Sequence, residues 1–162
     1  MPACIRRLAG VLVLALAASG ALAARAAEPE PQRPDAEMRC LALAVYWEGR
    51  DESHLGQVAI AHTVLNRTRS PAFPQSICAV VKQRNAPGKK GCQFSWWCDG
   101  KADKPRNEEQ WSDAVAVAEG AMAGRSHDPT GGALFFHSAR IRPNWTGHRK
   151  RLIRIGNHVF YK

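Results

Sequence analysis

Met38-Arg39-Cys40-Leu41-Ala42-Leu43-Ala44-Val45-Tyr46-Trp47-Glu48-Gly49-Arg50-Asp51-Glu52 decides the fold, because an almost wholly apolar helix turns charged there at Glu48. Leu41, Ala44, Val45 and Glu48 fall at the i, i+3, i+4, i+7 spacing of one helical face, so the carboxylate continues an apolar stripe. A carboxyl group in that position loses hydration, which disfavours its charged form and raises its pKa. A glutamate kept protonated near neutral pH can donate a proton to a leaving group. The bland alternative is a Glu48 that pairs with Arg50 or another arginine at a helix end. The helix is predicted over 36–47, with the Gly49-Arg50-Asp51-Glu52 turn as its stop.

Working outward, Ser53 caps a second helix with Leu55, Val58, Ala59, His62 and Leu65 on one face, ended by Ser70-Pro71. The two helices should form a hairpin. A short third helix is expected over 75–83, with Ile77, Val80 and Val81 inward. An irregular stretch, 84–106, carries Gln93-Phe94-Ser95-Trp96-Trp97-Cys98-Asp99-Gly100, and loops of that length usually serve a function. Asn107 caps a fourth helix through Ala123, with Trp111, Val115, Ala118 and Met122 inward and Gly124 as its stop. The pattern then changes to strand at 133–137, and 152–161 reads as a hairpin turning at Gly156-Asn157. One of Phe160 and Tyr161 should face the core. The fold class is α+β and predominantly helical, with a small C-terminal antiparallel sheet.

Upstream, Arg6 and Arg7 precede an apolar run, and Ala24-Arg25-Ala26 offers a small-residue cleavage site, so residues 1–26 read as a signal peptide. Residues 27–35 form a proline-rich linker, and 36–162 a single domain. The apolar run is short for a membrane span, and no stable membrane anchor is expected. Export, to the periplasm or beyond, follows from this reading. Loss of Arg6, Arg7 and Arg25 with the signal peptide lowers the formal charge from +9 to +6. A basic exported protein suits an anionic polymer such as cell wall, whereas nucleic acid is the partner of cytoplasmic basic proteins.

Cys40, Cys78, Cys92 and Cys98 remain after processing, an even count that points to two disulfides with three possible connectivities. The preferred pairing is Cys92 with Cys98, closing an aromatic loop, and Cys40 with Cys78, tying two helices. Zinc is the competing reading, but no Cys-x-x-Cys or His-x-x-x-His spacing is present, and no metal or cofactor is expected.

Six blocks then occur in order: Tyr46-Trp47-Glu48-Gly49-Arg50-Asp51-Glu52, Gly56-Gln57-Val58-Ala59, Val64-Leu65-Asn66-Arg67, Cys92-Gln93-Phe94-Ser95-Trp96, Ala133-Leu134-Phe135-Phe136 and Ile155-Gly156-Asn157-His158-Val159-Phe160-Tyr161. Together they resemble the cell wall hydrolase family typified by spore-cortex-lytic enzymes of the SleB type. The resemblance implies a lysozyme-like helical domain acting on peptidoglycan, with Glu48 as the catalytic acid. Gly49 stands where the family has Ala and Asp51 where it has Gly, so Asp51 adds a carboxylate that either raises the pKa of Glu48 by repulsion or points harmlessly to solvent.

The resemblance further implies a lytic transglycosylase. In that reaction one glutamate protonates the leaving oxygen and its carboxylate then takes the proton of the sugar's own 6-hydroxyl. A hydrolytic muramidase needs a second carboxylate, for which Asp99 and Glu52 are the candidates. The other rivals are a zinc amidase and a non-catalytic wall-binding module. Gln93, Phe94, Ser95, Trp96 and Asp99 suit a sugar cleft, since aromatic faces cover pyranose rings while amides and hydroxyls bond their hydroxyls. Trp96 is assigned to the cleft with Trp97 beside it. Gln57 is placed to reach substrate, Asn66 to satisfy backbone groups, and His137 and His158 to face the cleft from strand ends. The protein is expected to act as a monomer.

Overall fold

The computed structural model describes residues 35–85 and 91–162; residues 1–26, read above as a signal peptide, nearly all of the stretch read as a linker, and residues 86–90 lie outside the described residues. Four α-helices, α1 (Ala36–Glu48), α2 (His54–Thr68), α3 (Ile77–Val81) and α4 (Glu108–Met122), precede three strands. These are β1 (Phe135–Ser138), β2 (Arg151–Ile155) and β3 (His158–Tyr161), and two 3₁₀ turns, Ser95–Cys98 and Asn144–His148, fill the connections.

Helix α1 is the centre of the domain. Cys40 to Tyr46 are all buried, and α2, α3 and α4 each pack against it. The single apolar stripe expected for α1 is therefore corrected to burial all round, which is what a helix apolar on every face requires. Asp35 caps its start by accepting the Met38 N–H at 2.7 Å. The Glu37 carboxylate accepts the Ile77 and Cys78 N–H groups at 2.6 and 3.2 Å, fastening the start of α3 beside the Cys40–Cys78 disulfide. Tyr46 Oη accepts the Arg106 and Asn107 N–H groups, fixing the entry to α4, and Asn107 caps that helix at Gln110. Each fully buried side chain of this core, such as Leu41, Val45, Ile60 or Val64, contributes about 1.5–3 kcal/mol on transfer from water.

Helix α2 differs from expectation at one end. Leu55 is 54 % exposed, because the first turn projects beyond the core before Val58 reaches it. Helix α3 is shorter than the predicted 75–83, starting after the Ser76 cap.

The sheet is antiparallel in the order β1-β3-β2, with Phe136 opposite Phe160 and Ile155 opposite His158. The hairpin turns at Gly156-Asn157 as the sequence indicated, Gly156 taking φ +54°. Phe160, Ile155, Ala133 and Ala59 form a second small core that seals the sheet onto α2. Phe160 and Tyr161 are both buried, correcting the expected alternation. The outer face of β3 is covered as well, by Trp145 edge-on to Tyr161 at 5.4 Å.

Candidate active site

Glu48 is the last residue of α1, where the helix leaves the core. Its neighbour Gly49 follows in tight quarters: a Cβ there would stand 2.7 Å from Val45 O and 3.1 Å from Gln57 Cγ, which accounts for glycine at this position. Gln57 Nε2 donates to Gly49 O at 3.3 Å. Gln57 therefore steadies the turn behind Glu48 and lines none of the cavities described below, which corrects its placement as a substrate contact.

Two concavities meet at Glu48. A cleft of about 610 Å³ has Glu48 and Arg67 in its wall with Gln93, Phe94, Phe136, His137, Trp145 and His158, and a smaller one of about 200 Å³ continues past Trp47 and Arg50. Glu48, Ser138 and His158 line both. Trp47 and Arg50 in turn border a third cavity of about 510 Å³ that holds Trp96 and Asp99. The three share walls in series, an elongated groove with Glu48 near its middle.

Burial raises the Glu48 pKa above its ordinary 4.5, while the Trp96 indole N–H and the positive charge of Arg67 oppose the rise. The indole N–H is aimed at the carboxyl yet makes no hydrogen bond of full geometry among the described residues, so its contribution is weaker than a true bond's. Asp51 is exposed and absent from the causes of the shift, so the repulsion entertained for it does not account for the raised pKa of Glu48.

Arg67 is the residue the sequence reading quoted in a motif without assigning a role. Its guanidinium is buried, stacked over Phe73, Phe94 and Phe135 at 5.2–5.9 Å, and its Nε donates to Leu134 O at 2.7 Å. Burial lowers its pKa to about 10, and Glu48 pulls it back up, so it stays cationic at neutral pH. Phe135, Phe136, Trp145, Ser138 and Arg149 were also missed. They come from β1 and the loop after it, and only the long-range pairing of that strand carries them to the cleft.

The remaining sequence candidates separate. Gln93, Phe94, His137 and His158 are brought together with Glu48. Ser95 is exposed and lines no cavity described here. Trp96, 9 % exposed, packs mostly in the core, stacked on Trp47 at 6.2 Å, and shows an edge to the third cavity, while Trp145 is the indole in the cleft that holds Glu48. Trp97 packs edge-on against Trp96 with Lys82 over its face. Asp99 is exposed, pairs with Lys101 at 3.7 Å, and lies in the third cavity rather than beside Glu48. Asn66 Nδ2 donates to Asp128 and to Ala133 O, the backbone-satisfying role expected of it.

Glu52, the other candidate for a second carboxylate, is engaged in holding the β2–β3 turn. Its side chain is 4 % exposed, both oxygens accept the Asn157 N–H at 3.1–3.2 Å, and Oε1 lies 3.2 Å from His158 Nδ1. The missing side chains of Gly56 and Gly156 make its seat, since a Cβ on either would collide with the carboxylate. Burial lowers the His158 pKa below its ordinary 6.5 against the pull of Glu52, leaving a neutral imidazole next to Glu48 at neutral pH. His137 donates from Nδ1 to Ser138 O at 2.8 Å, and its Nε2 lies 3.1 Å from the Tyr161 hydroxyl. The four cysteines among the described residues are paired, Cys40–Cys78 and Cys92–Cys98.

The Cell Wall Hydrolase family pattern matches residues 51–161. The spore cortex-lytic enzyme of Bacillus cereus is 32% identical over 127 residues, covering 78% of this chain and 44% of that protein. The Bacillus subtilis enzyme of the same name is 34% identical over 125 residues, 76% of this chain and 37% of that one. The chain thus spans less than half the length of these curated relatives. Among solved structures, the catalytic domain of the germination-specific lytic transglycosylase SleB from Bacillus anthracis superposes with a TM-score of 0.64 at 31% identity, covering 82% of this chain and 99% of that one. The catalytic domain of Bacillus cereus SleB gives 0.59 at 30% identity, covering 82% and 94%. On sequence pattern and on fold together, the chain belongs to the cell wall hydrolase family.

Proposed function

We propose that this protein is exported and cleaves the glycan strands of peptidoglycan as a lytic transglycosylase, acting as a monomer with Glu48 as both general acid and general base. The observation that carries the reading is a desolvated carboxyl at the middle of a long groove, its pKa raised by burial and its charged form supported by Arg67. The family pattern begins just past Glu48, so the role of this residue rests on that geometry.

In the first step protonated Glu48 gives its proton to the glycosidic oxygen, and the leaving sugar departs with it. The carboxylate left behind faces the Arg67 guanidinium and the Trp96 N–H, which stabilise it for the interval before the second step. It then removes the proton of the sugar's 6-hydroxyl as that oxygen closes on the anomeric carbon, giving a 1,6-anhydro end and restoring Glu48. One carboxyl suffices. The candidates for a second are otherwise engaged, Asp99 in another cavity and Glu52 on the Asn157 N–H, which favours this route over hydrolysis. Phe135, Phe136 and Trp145 would cover sugar faces, with Gln93, Ser138, His137 and His158 bonding hydroxyls.

Mass spectrometry of digested sacculi tests the reading. Anhydro-muramyl ends are expected from the wild type, and Glu48→Gln should lower their formation by about a thousandfold, within the range for loss of a general acid. Reducing ends, or stem peptides set free, would overturn it.

A further inference from the structure

The last 34 residues, 129–162, carry Arg140, Arg142, Arg149, Lys150, Arg151, Arg154 and Lys162 and not one Asp or Glu. Arg142, Arg151 and Arg154 are exposed and converge on a cavity of about 530 Å³ distinct from the groove, floored by Ala139, Val159 and Tyr161. None of the three forms an ion pair with an acid among the described residues, and the one hydrogen bond of their side chains there is Arg154 Nε to Gly156 O. An apolar floor under three guanidinium groups with no acidic partner among the described residues calls for a ligand that is both anionic and partly apolar.

Its position narrows the ligand. Ile141, 59 % exposed, walls this cavity on one side and the Glu48 cleft on the other. Tyr161 in the floor contacts His137 in the cleft at 3.1 Å. The two cavities are thus separated by a ridge one side chain thick.

We infer that this arginine pocket binds the carboxylates of the stem peptide borne by a muramic sugar seated in the Glu48 cleft, an assignment that rests on the glycan reading above. A tetrapeptide branching from the sugar spans about 13 Å when extended, enough to cross the ridge. Its methyl side chains suit the apolar floor, and guanidinium forks bind carboxylates with two parallel hydrogen bonds. A phosphodiester polymer would use the arginines and leave the floor idle.

The test compares two substrates, intact peptide-bearing strands and strands stripped of peptide by an amidase. For Arg142→Gln/Arg151→Gln/Arg154→Gln, kcat/KM on peptide-bearing strands should fall by about tenfold through KM, as three exposed charge pairs would give, with the loss shrinking in high salt. None of the three lines the glycan cleft, so peptide-free strands should be cut as before. Free stem tetrapeptide should inhibit the wild type on peptide-bearing strands, and inorganic phosphate at matched ionic strength should not. Equal loss on both substrates would mark a basic surface acting on the polymer at large, and equal inhibition by phosphate would mark a phosphate site; either overturns the inference. A variant matching wild type on both substrates overturns it too, with the glycan reading intact. Should the wild type cut neither substrate, the glycan reading fails and the inference falls with it.

Discussion

Replacing Gly156 with alanine asks whether Glu52 and the β2–β3 turn form one unit. Gly156 adopts φ +54°, a conformation that costs an alanine about 1 kcal/mol. The new Cβ would also collide with Glu52 Oε2 and push the carboxylate off the Asn157 N–H. A hydrogen bond to a charged acceptor contributes about 1.5 kcal/mol or more, so the substitution should cost about 2.5 kcal/mol and lower Tm by roughly 8 °C for a domain of this size. The decisive measurement is a double-mutant cycle in urea with Glu52→Ala. Without the carboxylate there is nothing to strike and no bond to lose, so Gly156→Ala should then cost only the backbone part, about 1 kcal/mol, leaving a coupling of about 1.5 kcal/mol. His158 follows Asn157 directly, so glycan cleavage should fall along with stability in the single variant. If the two substitutions add without coupling, the seat built by Gly56 and Gly156 does not hold Glu52.

The pH profile of cleavage should show its alkaline limb above the ordinary glutamate range, because burial keeps Glu48 protonated; Arg67→Met, which removes a charge that lowers that pKa, should move the limb further up and reduce kcat. Burial lowers the pKa values of His62 and His158 below 6.5, so the unfolded chain takes up protons that the folded one refuses: Tm should hold above pH 6.5 and decline as pH falls below it, less steeply in His62→Asn. Opening Cys40–Cys78, which closes 38 residues, with paired serine substitutions should cost about 4 kcal/mol, against about 2 kcal/mol for Cys92–Cys98, which closes 6, as read from denaturant midpoints.

Local signals carried much of this fold into view. Helix caps at Ser53 and Asn107, the Gly-Asn hairpin turn and the apolar run of α1 each depend on a few adjacent residues, and all appear where the sequence put them. Glu48 was legible for the same reason, as a charge ending an apolar helix. Trp96 and Trp97 show the opposite case: two neighbouring indoles have equal local claims, and burial of Trp96 is decided by Trp47 on another element. The role of Arg67 was hidden because, apart from Phe73, its environment comes from residues distant in sequence. The rings around it come from residues 73, 94 and 135, on two loops and a strand that meet only in the folded chain. The seat of Glu52 was hidden likewise, since it pairs the α1–α2 turn with a turn more than a hundred residues further on.

Arg67 also accounts for how one carboxyl would serve twice in the proposed reaction. Burial alone would make Glu48 a reluctant acid, holding its proton so firmly that donation to an ether oxygen would be slow. Full solvation would leave it ionised at neutral pH, with nothing to donate. The groove sets burial against a cation that is itself shielded from water, and a cation in that setting acts more strongly than one at the surface. Its guanidinium is held by three aromatic faces and the Leu134 carbonyl rather than by a second carboxylate, so its charge remains free to act on Glu48. An acidic partner for Arg67 would cancel that influence. On the proposed mechanism the aromatic cradle leaves Arg67 free to act on Glu48, and with Glu52 held on the Asn157 N–H the site suits a proton that leaves and returns better than a water that must be activated.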